Sequence, residues 1–370
     1  MIRTIMKMHE LLSYAENKTL ICFGAGKQLL RLCNLYYNID FFNHIDLIAD
    51  NNQEKKMFVY ENEEKKVYSI NECLELSIKE PLVLVTVVEY MPILKQLDSI
   101  QSLNYCRCII SEFLEHNFYC QSEPLPRNRT LNELQKIPKV IHYCWFGKSS
   151  ISENLKRYMA SWKKFCPDYE IVRWDESNYD YKKNEYMYEA YRQKRWGFVP
   201  DYARLDIIYQ CGGVYLDTDV ELIRNIDDLL CDDAYCGMAR APDEINNGLG
   251  FGAIKGFSLL KEALSVYDNI SFINEDGTTN LTSGPYYHTE FLLQRGLRFD
   301  NRNKVQQLEN MTIYPSDVLD PAYVYMGKAA LTENTYSIHH YSWSWQDEDR
   351  RQNFHNAQMK LRELYEKVFG

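Results

Sequence analysis

The chain has no apolar run long enough to cross a membrane. The longest, Leu82–Val88 (LVLVTVV), is the length of a buried strand. Its start, MIRTIMKMHELLSYAENK, has no apolar core of the kind a secretory leader needs. The 11 cysteines are scattered and include no Cys-x-x-Cys pair; the nearest approach, Cys106 and Cys108, would point to one face of a strand. That spacing favours neither a disulfide framework nor a zinc site, so the expectation is a soluble protein of a reducing cytosol. Basic residues are short as well: 42 Lys+Arg stand against 52 Asp+Glu, a net charge of −10. Nucleic acid, which needs a basic footprint, is excluded as an expected partner. An anionic ligand would have to be held by a metal or by a few placed cations.

What the chain has in plenty is aromatic side chains, 14% of the residues, with 29 Tyr against 16 Phe. A tyrosine joins a flat apolar ring to a hydrogen-bonding tip and suits a cleft that stacks sugars or bases. Hydrophobic residues at 45% and charged ones at 25% are ordinary globular values. A length of 370 residues predicts two domains.

Residues 1–120 read as alternating strands and helices: Thr19–Phe23, a helix over Lys27–Tyr37, a strand over His44–Ala49, a helix over Ser69–Leu76, the Leu82–Val88 strand, a helix over Met91–Leu103 and a strand over Cys106–Ile110. Alternation of this kind predicts a parallel sheet with right-handed crossovers, a small Rossmann-like unit. Gly24-Ala25-Gly26 after the first strand has the general shape of a phosphate-binding turn, with Asp50 as the candidate ribose contact. The third glycine of the fingerprint is absent, Leu29 taking its place. Residues 121–136 are polar, carry two prolines and predict a linker. All 6 Trp and the Gly-Gly turn lie beyond it, in a second domain over residues 137–370.

The densest pattern is Val199–Val220, VPDYARLDIIYQCGGVYLDTDV. It predicts a helix over Asp201–Gln210, a stop at Gly212-Gly213 and a short buried strand, Val214-Tyr215-Leu216. Asp217-Thr218-Asp219 then falls at the C-terminal edge of that strand, where ligands of open α/β sheets collect. Two carboxylates at i and i+2 can share a hard cation if the chain turns after the first. Asp201 and Arg204, three apart, lie on one helical face. At the C-terminus, Phe354, Ala357, Leu361, Leu364 and Val368 predict an amphipathic helix over Arg350–Phe369 that packs on its own domain.

These residues resemble the DXD-containing glycosyltransferases that include yeast-type initiating mannosyltransferases and bacterial capsule sugar transferases, relatives of the clostridial glucosylating toxins. The likeness runs from Ile137-Pro138-Lys139-Val140-Ile141-His142-Tyr143-Cys144-Trp145, through Trp174, the Asp201–Asp219 block and Ser283-Gly284-Pro285, to His339-His340-Tyr341-Ser342-Trp343-Ser344-Trp345. It implies an α/β catalytic domain of the GT-A, nucleotide-sugar-binding type. Trp145 would stack the donor's base, Asp201 and Arg204 would hold the donor sugar, and Tyr215 would lie beside the phosphates. Asp217 and Asp219 would bind Mn²⁺ or Mg²⁺, with His340 as the third ligand and His339 as second choice. Asp217 would also touch the donor, Asn247 would lie near the sugar, and Trp345 would close over the diphosphate.

The expectation is therefore a metal-dependent, retaining hexosyltransferase. Its donor is a nucleotide-diphosphate sugar, UDP-linked by first choice. Its acceptor is a saccharide, free or lipid-linked, in capsule or surface polysaccharide synthesis, which places it in the cytoplasm with peripheral contact at the inner face of the membrane. Two competing readings are a catalytically silent sugar- or nucleotide-binding module, and a nucleotide-sugar oxidoreductase working through the first domain.

Overall fold

The computed structural model describes residues 1–342 and residue 356, apart from 4–7, 37–38, 77, 88, 112–113, 115–121, 132, 240–243, 300–303, 324–327 and 330. The chain divides into two compact units, Met1–Phe118 and Tyr119–Arg362. Trp343, Trp345 and, but for Asn356, the expected C-terminal helix lie outside the described residues.

The first unit runs β1 (Ile2–Arg3), α1 (Met8–Ala15), β2 (Thr19–Phe23), α2 (Lys27–Leu35), α3 (Phe41–His44), β3 (Leu47–Ala49), β4 (Met57–Tyr60), β5 (Glu63–Tyr68), α4 (Ile70–Glu75), β6 (Pro81–Val85), α5 (Tyr90–Asp98) and β7 (Arg107–Ile110). Its seven-stranded sheet has the order β1-β7-β6-β2-β3-β5-β4. Every pairing is parallel except the β4–β5 hairpin. The strands β2 and β6 are continuous apolar runs because a parallel sheet is covered on both faces. The strand expected over His44–Ala49 shortens to β3, since Phe41 and Phe42 turn inward on the short helix before it.

The glycine turn after β2 has a structural cause. Gly24 has φ +120°, and a Cβ there would lie 2.5 Å from Val87 Cγ1. The Asp50 carboxylate, the candidate ribose contact, is taken up locally. It accepts the N–H groups of Ala25 and Asn52, each at 2.8 Å, and pairs with the Lys55 ammonium at 3.2 Å. Asp50 thus locks the turn rather than presenting a free acceptor.

The second unit runs β8 (Val140–Cys144), α6 (Glu153–Phe165), β9 (Glu170–Trp174), α7 (Glu185–Arg192), α8 (Val199–Cys211), β10 (Gly213–Tyr215), β11 (Val220–Leu222), β12 (Ala234–Ala239), β13 (Glu244–Ile245), β14 (Phe251–Ala253), α9 (Ser258–Ser265), α10 (Gly284–Leu293), β15 (Gln306–Leu308), β16 (Met311–Tyr314), α11 (Ser316–Leu319), β17 (Ala322–Tyr323), β18 (Lys328–Ala329) and β19 (Ser337–His339). The eight-stranded sheet has the order β15-β16-β12-β14-β10-β8-β9, with β13 paired to β12. Strands β9, β8 and β10 are mutually parallel, and β14 runs against β10. The protein is thus mixed α/β with parallel sheets.

Outside the main sheet, β11 and β19 form an antiparallel ribbon that sets Val220 opposite His339. Trp162 of α6 is fully buried and donates from its indole nitrogen to Val220 O at 2.8 Å, fastening that ribbon to the core. The described residues of the stretch expected as a linker, 121–136, are instead held along this unit. Ser122 donates from its backbone and hydroxyl to Asp317, Leu125 N–H donates to Asn334, and Arg129 pairs with Asp232 at 2.8 Å. Its polarity serves these bonds, not solvation of a free tether.

Candidate active site

The site grows from α8 and the turn that follows it. Pro200 sits in the first turn, where a missing N–H costs nothing. Eight of the helix residues are buried, among them Asp201, Arg204 and Asp206. The helix ends at Gly212, φ +70°, followed by Gly213, φ +105°. A Cβ on Gly213 would stand 2.8 Å from Val140 O, so only glycine lets β10 close against β8. Beneath this turn, His142 Nε2 meets Gly212 O at 3.0 Å while Trp174 donates to its Nδ1. The ring is therefore the neutral Nε2–H tautomer, and burial lowers its pKa to about 4.

Past Tyr215 the chain turns, Val220 N–H bonding Asp217 O at 3.0 Å. The turn brings Asp217 and Asp219 to the same side, and the β11–β19 register brings His339 to them. One ligand atom from each of Asp217, Asp219 and His339 lies within 4.8 Å of the others, and this trio is the one such group among the described residues. His339 Nε2 is 3.1 Å from Asp219 Oδ1. The other oxygen of Asp219 accepts the Ser342 N–H at 2.8 Å and hydroxyl at 2.9 Å, so its rotamer is set. Against the pull of burial, Asp219 and then Asp217 raise the His339 pKa, while His339 and Ser342 keep the Asp219 carboxyl well below its ordinary value. Two carboxylates and an imidazole are a donor set that could hold a divalent metal ion.

This corrects the preference for His340. Strand alternation turns His340 to the opposite side, where its Nε2 lies 2.8 Å from Glu221 and its ring stacks on Tyr158 at 3.8 Å. His339, the second choice, is the histidine at the acidic pair.

Arg204 lies beside the trio, 7% exposed at its side chain, 3.3 Å from Asp201 and 3.5 Å from Asp217. Its guanidinium sits over the Tyr215 ring at 5.2 Å, and its Nε–H donates to Pro200 O. Burial pushes the Asp201 carboxyl up to about 7, against the pull of Arg204. Gly284 N–H donates to Asp201 at 3.1 Å, and a Cβ on Gly284 would come 2.5 Å from Asp201 Cγ. Tyr215, expected beside the phosphates, is buried and donates its hydroxyl to Asp217 at 3.1 Å, a support beneath the site. Asp206 is held by Lys183 at 2.6 Å and Tyr179 at 2.7 Å and belongs to the fold.

Asn247 is buried and its Oδ1 has no hydrogen-bond partner. Its neighbour Gly248 is pressed against Asp217, where no side chain fits. Trp145 is half-buried at the end of β8, packed on the core with its indole N–H on Ser149 O at 2.7 Å. Trp345 lies outside the described residues. Ser342 and His288 were not singled out by sequence reasoning: a serine between aromatics carries no signal of a carboxylate clamp, and His288 has no motif spacing to an acid.

Residues 152–235, which include Asp201, Arg204, Asp217 and Asp219, match the family described as glycosyltransferase sugar-binding region containing DXD motif. The chain is 30% identical over 145 residues to inositol phosphoceramide mannosyltransferase 3 of Schizosaccharomyces pombe, covering 38% of this chain and 40% of the relative. It is 32% identical over 105 residues to an uncharacterised glycosyltransferase of Acanthamoeba polyphaga mimivirus, covering 25% of this chain and 40% of the relative. With inositol phosphoceramide mannosyltransferase 1 of the same yeast the identity is 26%, over 42% of this chain and 51% of the relative. The chain thus spans about half or less of the length of these curated relatives. Among solved structures, it is similar to the PaToxG glycosyltransferase at 21% identity and TM-score 0.35, over 43% of this chain and 68% of that one. The match to the DXD-containing sugar-binding region of glycosyltransferases is confined to residues 152–235. Among the described residues no helix is long and apolar enough to cross a membrane.

Proposed function

We propose that the chain is a metal-dependent glycosyltransferase of GT-A type that moves a hexose from a nucleotide-diphosphate sugar to a saccharide acceptor. The observation that carries this reading is the meeting of Asp217, Asp219 and His339 within 4.8 Å, next to the buried Asp201–Arg204 pair. Asp217, Asp219 and His339 would hold Mn²⁺ or Mg²⁺, which when bound supplies positive charge to the departing nucleoside diphosphate.

The chain's own residues do the rest. Ser342 fixes the Asp219 carboxylate and Tyr215 fixes Asp217, so the donor atoms are set before any ligand arrives. Arg204, clamped between two carboxylates, is a fixed cation that orients the donor and offsets charge developing on it. Asp201, with its carboxyl near 7, is poised to donate or accept a hydrogen bond to a sugar hydroxyl. Trp145 at the end of β8 is the candidate base-stacking ring, and Asn247 offers an unpaired acceptor. Retention, by departure and attack on one face, and UDP as the preferred carrier rest on the sequence resemblance. So does an acceptor in capsule or surface polysaccharide, presented on a lipid at the inner face of a membrane. The mannosyltransferase relatives make GDP-mannose the second donor to try.

The test is nucleoside diphosphate release by the purified full chain from UDP-glucose, UDP-galactose and GDP-mannose. Release from at least one donor is expected with Mn²⁺ and is expected to stop with EDTA. Tight binding of a nucleotide sugar with no release from any of them would favour a silent binding module and overturn the transferase reading.

A further inference from the structure

His288 is 5% exposed, and neither of its ring nitrogens has a hydrogen-bond partner. Native proteins pair nearly all such groups, and leaving one unpaired costs about 1–3 kcal/mol. Burial, and then the charge of Arg204, lowers its pKa to about 4, so at neutral pH the ring offers one N–H and one lone pair.

Its place in the fold says what could pair with it. Helix α10 opens at Gly284, whose N–H is on Asp201 and whose Cα is packed against that carboxylate. His288 is four residues on, the next position along the same face. Phe291 stacks on the ring at 6.2 Å and 15°, holding its plane. Thr289 accepts the Ile245 N–H at 2.9 Å and donates to Pro285 O, tying α10 to β13. The loop after β13 carries another unpaired buried group, Asn247 Oδ1, and its Gly248 abuts Asp217. Two elements that touch the Asp201–Arg204–Asp217 cluster, α10 at Asp201 and the loop at Asp217, therefore each carry a buried polar group without a partner.

We propose that His288 hydrogen-bonds a hydroxyl of the hexosyl group of the nucleotide sugar and so helps decide which hexose is accepted. A hydroxyl both donates and accepts, so it satisfies either nitrogen of a neutral imidazole, whereas an apolar or displaced substituent leaves that nitrogen unpaired. The inference rests on the reading of the site as one for a nucleotide sugar.

Calorimetric titration separates the two. Wild type, His288→Phe and His288→Asn are titrated in Mn²⁺ with UDP, UDP-glucose, GDP and GDP-mannose. In His288→Phe, affinity for the bare nucleoside diphosphate is expected to stay within about twofold of wild type, and affinity for the preferred nucleotide sugar to fall about tenfold. His288→Asn, which keeps a donor and an acceptor, is expected to recover part of that loss. The melting temperature of His288→Phe is expected at or above wild type, because the nitrogens it removes had no partner. A parallel loss of both affinities, no loss of either, or a fall of several degrees in melting temperature or failure to fold would overturn the proposal and make the ring structural. If wild type binds none of the four probes, the nucleotide-sugar reading falls and takes this inference with it. If wild type binds them and His288→Phe changes nothing, this inference alone falls.

Discussion

Asp219→Asn is expected to lower Mn²⁺-dependent release of nucleoside diphosphate by at least about 100-fold while the protein stays folded. Asparagine keeps the shape of the side chain and an oxygen for the Ser342 N–H and hydroxyl, but not the charge. The pKa of His339 is raised by the carboxylates facing it, with Asp219 foremost. With that charge removed, burial favours the neutral imidazole, so the variant is not expected to carry the heavy cost of a buried, unpaired cation. The variant is thus expected to melt within a few degrees of wild type at pH 7.5 and to suffer more in acid, where His339 regains its proton. Steady-state release measured beside a melting curve checks both halves. Turnover within about threefold of wild type would remove Asp219 from the chemistry.

Arg204→Met is expected to cost about 3–5 kcal/mol of folding stability at pH 8, the range for removing one partner of a buried ion pair. Its guanidinium is the buried cation for both Asp201 and Asp217. The loss is expected to shrink as pH falls. Even with Arg204 present the Asp201 carboxyl is raised from 3.8 to about 7. A carboxyl raised on folding binds more protons in the folded state, so its penalty is full above the folded pKa and gone below the unfolded one. Without Arg204 that folded pKa rises further, and at pH 5.5 the buried acid is neutral and needs no partner. Urea midpoints of wild type and variant at pH 5.5 and pH 8 check this. A loss equal at the two pH values would mean that Asp201 is not the group left stranded.

The parts of the architecture legible in the sequence are those with local causes. Thr19–Phe23 and the Leu82–Val88 run announce buried parallel strands because both faces must be apolar. The helix, double glycine and acids of Val199–Val220 are legible because Gly212 and Gly213 take conformations other residues avoid. What was not legible depends on distant pairing. Strands β11 and β19 are three residues each, and their register sets Val220 opposite His339 across more than a hundred residues of chain. No periodicity in so short a segment shows which of two adjacent histidines faces the acids. Residues 121–136 misled for a related reason: Ser122 and Arg129 are polar because they bind Asp317 and Asp232, which lie far along the chain. Asp50 looked like a free acid at a strand end, yet it is occupied by the turn it follows.

We propose that Asp217, Asp219 and His339 hold the divalent cation. Titration of Mn²⁺ into the full chain, followed by the electron paramagnetic resonance signal of free Mn²⁺ with UDP or GDP present, tests it most directly. His339→Ala is expected to weaken Mn²⁺ binding by at least about tenfold, and His340→Ala to leave it within about twofold of wild type. Equal weakening in both variants, or weakening confined to His340→Ala, would rule out His339 as the third ligand.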